Sequence, residues 1–155
     1  MTGAIADCEN MKDFLEKSLE EVHIEELHNK KATREGIEKA INGLANHDRI
    51  SVGDPILIYY AGHGSEIDPP EHWNLPYGSR KIQMILPYDY DIGGQGLLDV
   101  TLRELLTRLS DNKGDNIVSV SFFRTIRSIL HPLWTMVIGC NIGFLQFGFR
   151  NKREH

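Results

Sequence analysis

Apolar positions recur with helical spacing in three stretches of the chain and run together in a fourth. Met11, Phe14, Leu15 and Leu19 fall on one face of a 3.6-residue spiral, which predicts an amphipathic helix over residues 6–20. Val22 to Leu27 is short and reads as a strand. Thr33 has the side chain of a helix N-cap. Behind it Ile37, Ala40, Ile41 and Leu44 repeat at i, i+3, i+4 and i+7, predicting a helix through Ala45 that Asn46 and His47 close. Pro55 to Ala61 is almost continuously apolar, as a strand covered on both faces requires, and it is the expected central strand. Pro69, Pro70, Pro76 and Gly78 mark residues 65–80 as a surface loop, and Lys81 to Leu86 reads as a further strand. Thr101 and Glu104 have the spacing of a capping box, opening a helix with Leu102, Leu105, Leu106 and Leu109 inward. Helices alternating with buried strands predict an α/β sheet with right-handed crossovers.

Composition narrows the class without naming a function. A chain of 155 residues, 41% hydrophobic and 25% charged, is that of one soluble globular domain. Its net charge of -5 argues against nucleic acid as a partner, because neutralising phosphates needs a local excess of Lys and Arg. Cys8 and Cys140 stand alone, so neither a zinc site nor a disulfide framework is supported, and the expected location is cytoplasmic. Met1 to Asn10 has neither the basic start nor the apolar core of a secretory signal. The charge is unevenly spread. Residues 1–117 hold 21 of the 22 acids and 12 bases, whereas residues 118–155 hold one acid and five bases among Ile, Phe, Gly and Leu. This divides the chain into a patterned part, residues 1–117, and an aberrant apolar and basic tail, residues 118–155.

The chemistry concentrates in Tyr59-Tyr60-Ala61-Gly62-His63-Gly64-Ser65. A buried strand ending in a histidine between two glycines puts an imidazole at a strand's carboxyl end, where open α/β sheets place ligands. This stretch resembles the histidine motif of caspase-like peptidases, especially the metacaspase-type branch. Other segments follow in the family's order: Gly3-Ala4-Ile5-Ala6-Asp7 resembles its first-helix motif and Ala32-Thr33-Arg34 the start of its second helix. Pro87-Tyr88-Asp89-Tyr90 and Gly96-Leu97-Leu98-Asp99 resemble its acidic segments. The resemblance covers residues 1–117. It implies a three-layer α/β/α sandwich and cysteine-type endopeptidase chemistry on peptide or protein substrates. In that chemistry His63 manages the proton on a thiol and on the leaving amine, and the Gly64 N–H contributes to an oxyanion hole. It further implies that Asp7 helps bind a basic P1 side chain. No cofactor is required. Asp89 and Asp99 match positions that bind calcium in some members, while Val100 stands where those members have another acid. Turn or capping roles are the plainer reading of both aspartates. His72 and Trp73 are incidental loop residues, and Cys8 is a packing residue of the first helix rather than a nucleophile.

Two departures from the family predict an incomplete sandwich. The family places a hydrophobic strand before the Gly-Ala motif, and its absence should leave interior sheet edges unpaired. After Gly114-Asp115-Asn116-Ile117 the family continues into Asp-x-Cys-x-Ser-Gly, whereas this chain reads Val118-Ser119-Val120-Ser121-Phe122. The chain is therefore expected to be a truncated, inactive peptidase domain. Residues 118–138 fit a translated intron. Val118-Ser119 can be encoded as GTA-AGT, Ile138-Gly139 can contain an acceptor TAG, and Gly139 to Arg153 shifted by one nucleotide permits Val-Val-Ile-Leu-Asp-Ser-Cys-Asn-Ser-Gly. Two other readings of the tail remain. Ile129 to Phe149 has the outline of a membrane anchor, weakened by His131, Pro132, Asn141 and Gln146. Alternatively, Ile117 to Phe123 takes the vacant strand position by hydrophobicity alone. The different-class alternative is a non-catalytic pseudo-peptidase interaction module, pairing with a caspase-like paralogue through an open sheet.

Overall fold

The computed structural model describes residues 3–70, 81–125 and 143–148. Among the described residues three α-helices flank one mixed sheet, giving the expected α/β/α layering. In chain order the elements are α1 (Gly3–Ser18), β1 (His23–His28), α2 (Arg34–Ala45), β2 (Ile56–Ile67), β3 (Ile82–Leu86), β4 (Leu97–Leu98), α3 (Asp99–Lys113), β5 (Ile117–Thr125) and β6 (Gly143–Gly148). The sheet runs β1-β6-β2-β3-β4, with β5 parallel to β2 along its other edge.

The two faces of β2 build two cores, because alternate residues of a strand point to opposite sides. Ile56, Ile58 and Tyr60 pack with Ile37, Ile41 and Leu44 of α2 and Leu105 and Leu109 of α3. Tyr59 and Ala61 pack with Ala4, Cys8 and Leu15 of α1. The buried stripe of α1 is thus Ala4, Cys8 and Leu15, with Met11 and Leu19 beside it. Phe14, assigned to that face from the sequence, is 62% exposed. It sits one residue, about 100° of helix, from Leu15, and the small side chains of Ala4 and Cys8 set the stripe instead.

Helix α2 starts as its sequence implies. Thr33 is extended and its Oγ1 accepts from the Gly36 N–H at 3.0 Å, satisfying one orphan donor of the first turn. Gly36 is required there, since a Cβ would lie 2.3 Å from the Lys31 carbonyl oxygen. Thr33→Ala is expected to lower the unfolding free energy by about 1 kcal/mol, measured by urea denaturation. Helix α3 departs from expectation. It begins at Asp99 after Leu98, whose side chain makes no cap, so Thr101 lies inside the first turn and forms no capping box. Instead Asp99 Oδ1 accepts from the Val100 N–H at 2.7 Å.

The tail enters the sheet twice. β5 pairs in parallel with β2 from Ile56↔Ile117 to Gly64↔Thr125, so the segment after α3 does take the strand position next to β2. β6 lies between β1 and β2 and is antiparallel to both, from His23↔Gly148↔Ile56 to His28↔Gly143↔Ala61. The unpaired edges expected between those strands therefore do not arise. Hydrogen bonding of the backbone is indifferent to side-chain identity, which is why a sequence without clear period can still complete a ladder. Among the described residues no helix is long and apolar enough to cross a membrane. Most of the proposed anchor segment, together with His72, Trp73 and Cys140, lies outside the described residues.

Candidate active site

β2 is longer than its apolar run. The strand continues through Gly62, His63, Gly64, Ser65 and Glu66 to Ile67, so His63 is inside the strand rather than at its end, and the loop begins later than residue 65. What happens at His63 is a change of neighbours. Up to Ala61 β2 pairs with β6, and from His63 onward it pairs with β3, His63 facing Leu86 and Gly64 facing Ile85. A change of neighbour opens a gap at the sheet edge, so a position there can meet a ligand even within a strand.

The backbone around His63 is clamped from the opposite face. The buried Tyr60 hydroxyl lies 2.9 Å from the His63 carbonyl oxygen and 3.1 Å from the Leu86 carbonyl oxygen, so its one proton is shared between two acceptors on adjacent strands. To reach them the phenol passes over Gly62, where a Cβ would sit 2.4 Å from the Tyr60 oxygen. The two glycine neighbours of His63 thus have different uses: Gly62 makes room for the Tyr60 ring, and Gly64 is a buried ladder residue. Tyr60 and Gly62 were not singled out from the sequence. The Tyr-Tyr pair read as strand hydrophobics, and only the fold shows the phenol reaching the backbone at His63.

On the α1 face, His63 shares a side of the sheet with Ala61, Tyr59, Glu26 and His28, as the alternation and the registers require. Asp7 and Cys8 come to this face from α1. Cys8 is fully buried and has a backbone hydrogen bond with Ala61. Burial pushes its thiol up to about 12, with the charges of Asp7 and Glu26 adding to the effect. Burial likewise pushes the Tyr59 phenol up to about 12, with Cys8 and Asp7 as lesser causes. A thiol held protonated is a poor nucleophile, in keeping with its expected packing role. Both groups keep their protons in the folded chain while the unfolded chain loses them near 9 and 10. The unfolded state then binds fewer protons, so stability is expected to fall from about pH 9 towards pH 12. Denaturation midpoints across that range measure the slope, and Cys8→Ser should flatten it.

Asp89 and Asp99 are occupied at helix starts. Asp89 Oδ1 accepts from the Arg34 N–H at 3.1 Å, at the first residue of α2. The Arg34 side chain holds Glu38 at 2.8 Å and Gln95 at 2.8 Å, tying the segment after β3 to α2. Negative charge is favourable at a helix N-terminus, in keeping with the capping reading of both aspartates. Among the described residues no three His, Cys, Asp or Glu side chains converge to hold a metal ion.

A model of the caspase domain matches residues 1–116, three-quarters of the chain, and the chain belongs to that family. No curated protein and no solved structure matches it. The match ends one residue short of β5, the strand that reads unlike the rest.

Proposed function

We propose that this chain is a caspase-like cysteine peptidase domain that retains the histidine half of the catalytic pair and lacks the cysteine half, so that it holds peptides without cleaving them. One observation carries this reading: the residue level with His63 on the neighbouring parallel strand is Arg124, and Thr125 is level with Gly64. In the family the nucleophilic cysteine ends the strand beside the histidine. There the imidazole takes the thiol proton, sulfur attacks the scissile carbonyl and backbone N–H groups receive the oxyanion. An arginine side chain has no lone pair free to attack at neutral pH. Cys8, the one cysteine among the described residues, has its thiol buried and protonated.

In this reading His63 and Gly64 are the retained catalytic groups. Asp7, half-buried beside Cys8 and Tyr59, supplies the carboxylate for a basic P1 side chain. Peptide amides with Arg before the reporter group should show no turnover above a blank. Turnover that His63→Ala abolishes would overturn the reading. The intron proposal for residues 118–138 has a separate test in the gene, where codons 118 and 119 must read GTA-AGT and the shifted frame must contain a cysteine codon.

A further inference from the structure

The start of β1 and the turn after α2 bring two imidazoles into contact on the side of the sheet away from His63. The His23 and His47 rings lie 5.6 Å apart between centres, with their planes tilted by 48°. We propose that this pair is a binding site for a divalent transition-metal ion of the zinc, copper and nickel class, with one nitrogen of each ring on the ion and water in the other positions. The proposal is independent of the peptide-holding reading above.

Spacing is the first argument. An ion about 2.0–2.1 Å from an imidazole nitrogen lies about 3.2 Å from that ring's centre, so two rings on one ion have centres about 5.2 Å apart at a tetrahedral angle and about 5.5 Å at a trigonal one. The observed separation is close to the trigonal value, and the rings need little movement. Both backbones are already fixed. His23 is the first residue of β1, in register with Gly148, and it shares its side of the strand with Leu27, which packs against the α2 cluster. His47 lies two residues beyond α2. Its N–H donates to the Leu44 carbonyl at 3.2 Å, and its carbonyl accepts from the Ile50 N–H at 3.1 Å and from Lys113 Nζ at 2.9 Å. A site held in this way loses little freedom on binding.

Lone pairs are the second argument, because a metal ion needs an unprotonated nitrogen. His47 Nδ1 accepts from the Arg49 N–H at 3.2 Å, which assigns that ring's lone pair to Nδ1. The bond is long and exposed, so the ion takes the lone pair and water takes the Arg49 N–H. His23 is exposed, and among the described residues no hydrogen bond engages its ring. The surrounding charge agrees. Glu21 and Glu25 stand two residues to either side of His23, and Asp48 follows His47; all three are exposed and none is ion-paired among the described residues. Lys113 is spent on the His47 and Ile50 carbonyls, which leaves Arg49 as the neighbouring base. This excess of carboxylate attracts a divalent cation, and the imidazoles select zinc, copper or nickel over the harder calcium and magnesium.

The test is zinc chloride added to the chelator-free whole chain, followed by thermal unfolding and by calorimetric titration. Zinc at about a hundredfold above its dissociation constant should raise the melting temperature by about 5–10 °C, whereas calcium chloride should not move it. His23→Gln and His47→Gln, each alone, should weaken zinc binding by about ten-fold or more, since losing even a group that only orients a ligand costs that much. Neither histidine belongs to a core cluster, so the zinc-free melting temperatures should match the parent's. Titration is run well below every melting point, so a variant that is merely less stable still reports its affinity. No rise in the parent, zinc affinity that survives either substitution, or an equal rise with calcium overturns the site.

Discussion

Leu109→Ala is expected to lower the free energy of unfolding by about 2–5 kcal/mol, a large share of the roughly 5–15 kcal/mol available to a domain. Leu109 is fully buried, in the cluster where α2 and α3 meet the Ile56, Ile58 and Tyr60 side of β2. Truncation there removes apolar contact and leaves a void that two helices and a strand would have to close together, and packed interiors relax only in part. Ile92→Ala supplies the contrast, since that side chain is 80% exposed, and its effect should stay within about 0.5 kcal/mol. Urea denaturation followed by far-UV circular dichroism measures both. If Leu109→Ala costs no more than Ile92→Ala, the α2/α3 core is not packed as described.

The same core explains which elements could be read from the sequence. The stripe of α2 and the Ile56-Leu57-Ile58 run have strong local periods that agree with their burial, so helix and central strand were both legible. β4, two residues long, exists only because Met84 and Ile85 offer Leu98 and Leu97 a ladder, and nothing local announces it. The length of β2 was hidden for the same reason. Gly62 and Gly64 read as breakers, yet pairing with β3 and β5 keeps the backbone extended through both. The position of β6 was the least legible, whereas that of β5 was open to reading from the hydrophobicity of Ile117 to Phe123. The place of β6 follows from unsatisfied backbone groups on β1 and β2, a demand that belongs to the sheet and leaves no mark on the residues that meet it.

His63 was legible as a candidate through its glycine-flanked motif, and Cys8 as a packing residue through its place on α1. Glu26 and His28, on the same side of the sheet as His63, were not, because His23–His28 shows only a weak alternation and their neighbour Lys12 is distant in sequence. Charges that cancel across elements are invisible until the elements are placed. Asp89 was singled out for its acidic segment, and its bond to the first N–H of α2 is a case of such long-range pairing.

Gly62→Ala should be the most disruptive single methyl near the candidate site. The added Cβ would lie 2.4 Å from the Tyr60 oxygen and 2.6 Å from its ring carbon Cζ, well inside contact distance. An exposed ring could swing away, but Tyr60 is 2% exposed and its hydroxyl is held by carbonyls of β2 and β3. Relief therefore costs either overpacking, about 1–3 kcal/mol, or the loss of a buried hydrogen bond that leaves its acceptors unmet, about 1–3 kcal/mol more. A double-mutant cycle isolates the clash. Tyr60→Leu removes the ring, so Gly62→Ala in that background should cost less by about 1 kcal/mol or more. Because the displaced groups are the His63 and Leu86 carbonyls, Gly62→Ala should also speed amide exchange across the β2–β3 pairing, read by hydrogen exchange at His63 to Ile67. Additive costs with unchanged exchange would mean that the Tyr60 phenol does not fix the backbone at His63.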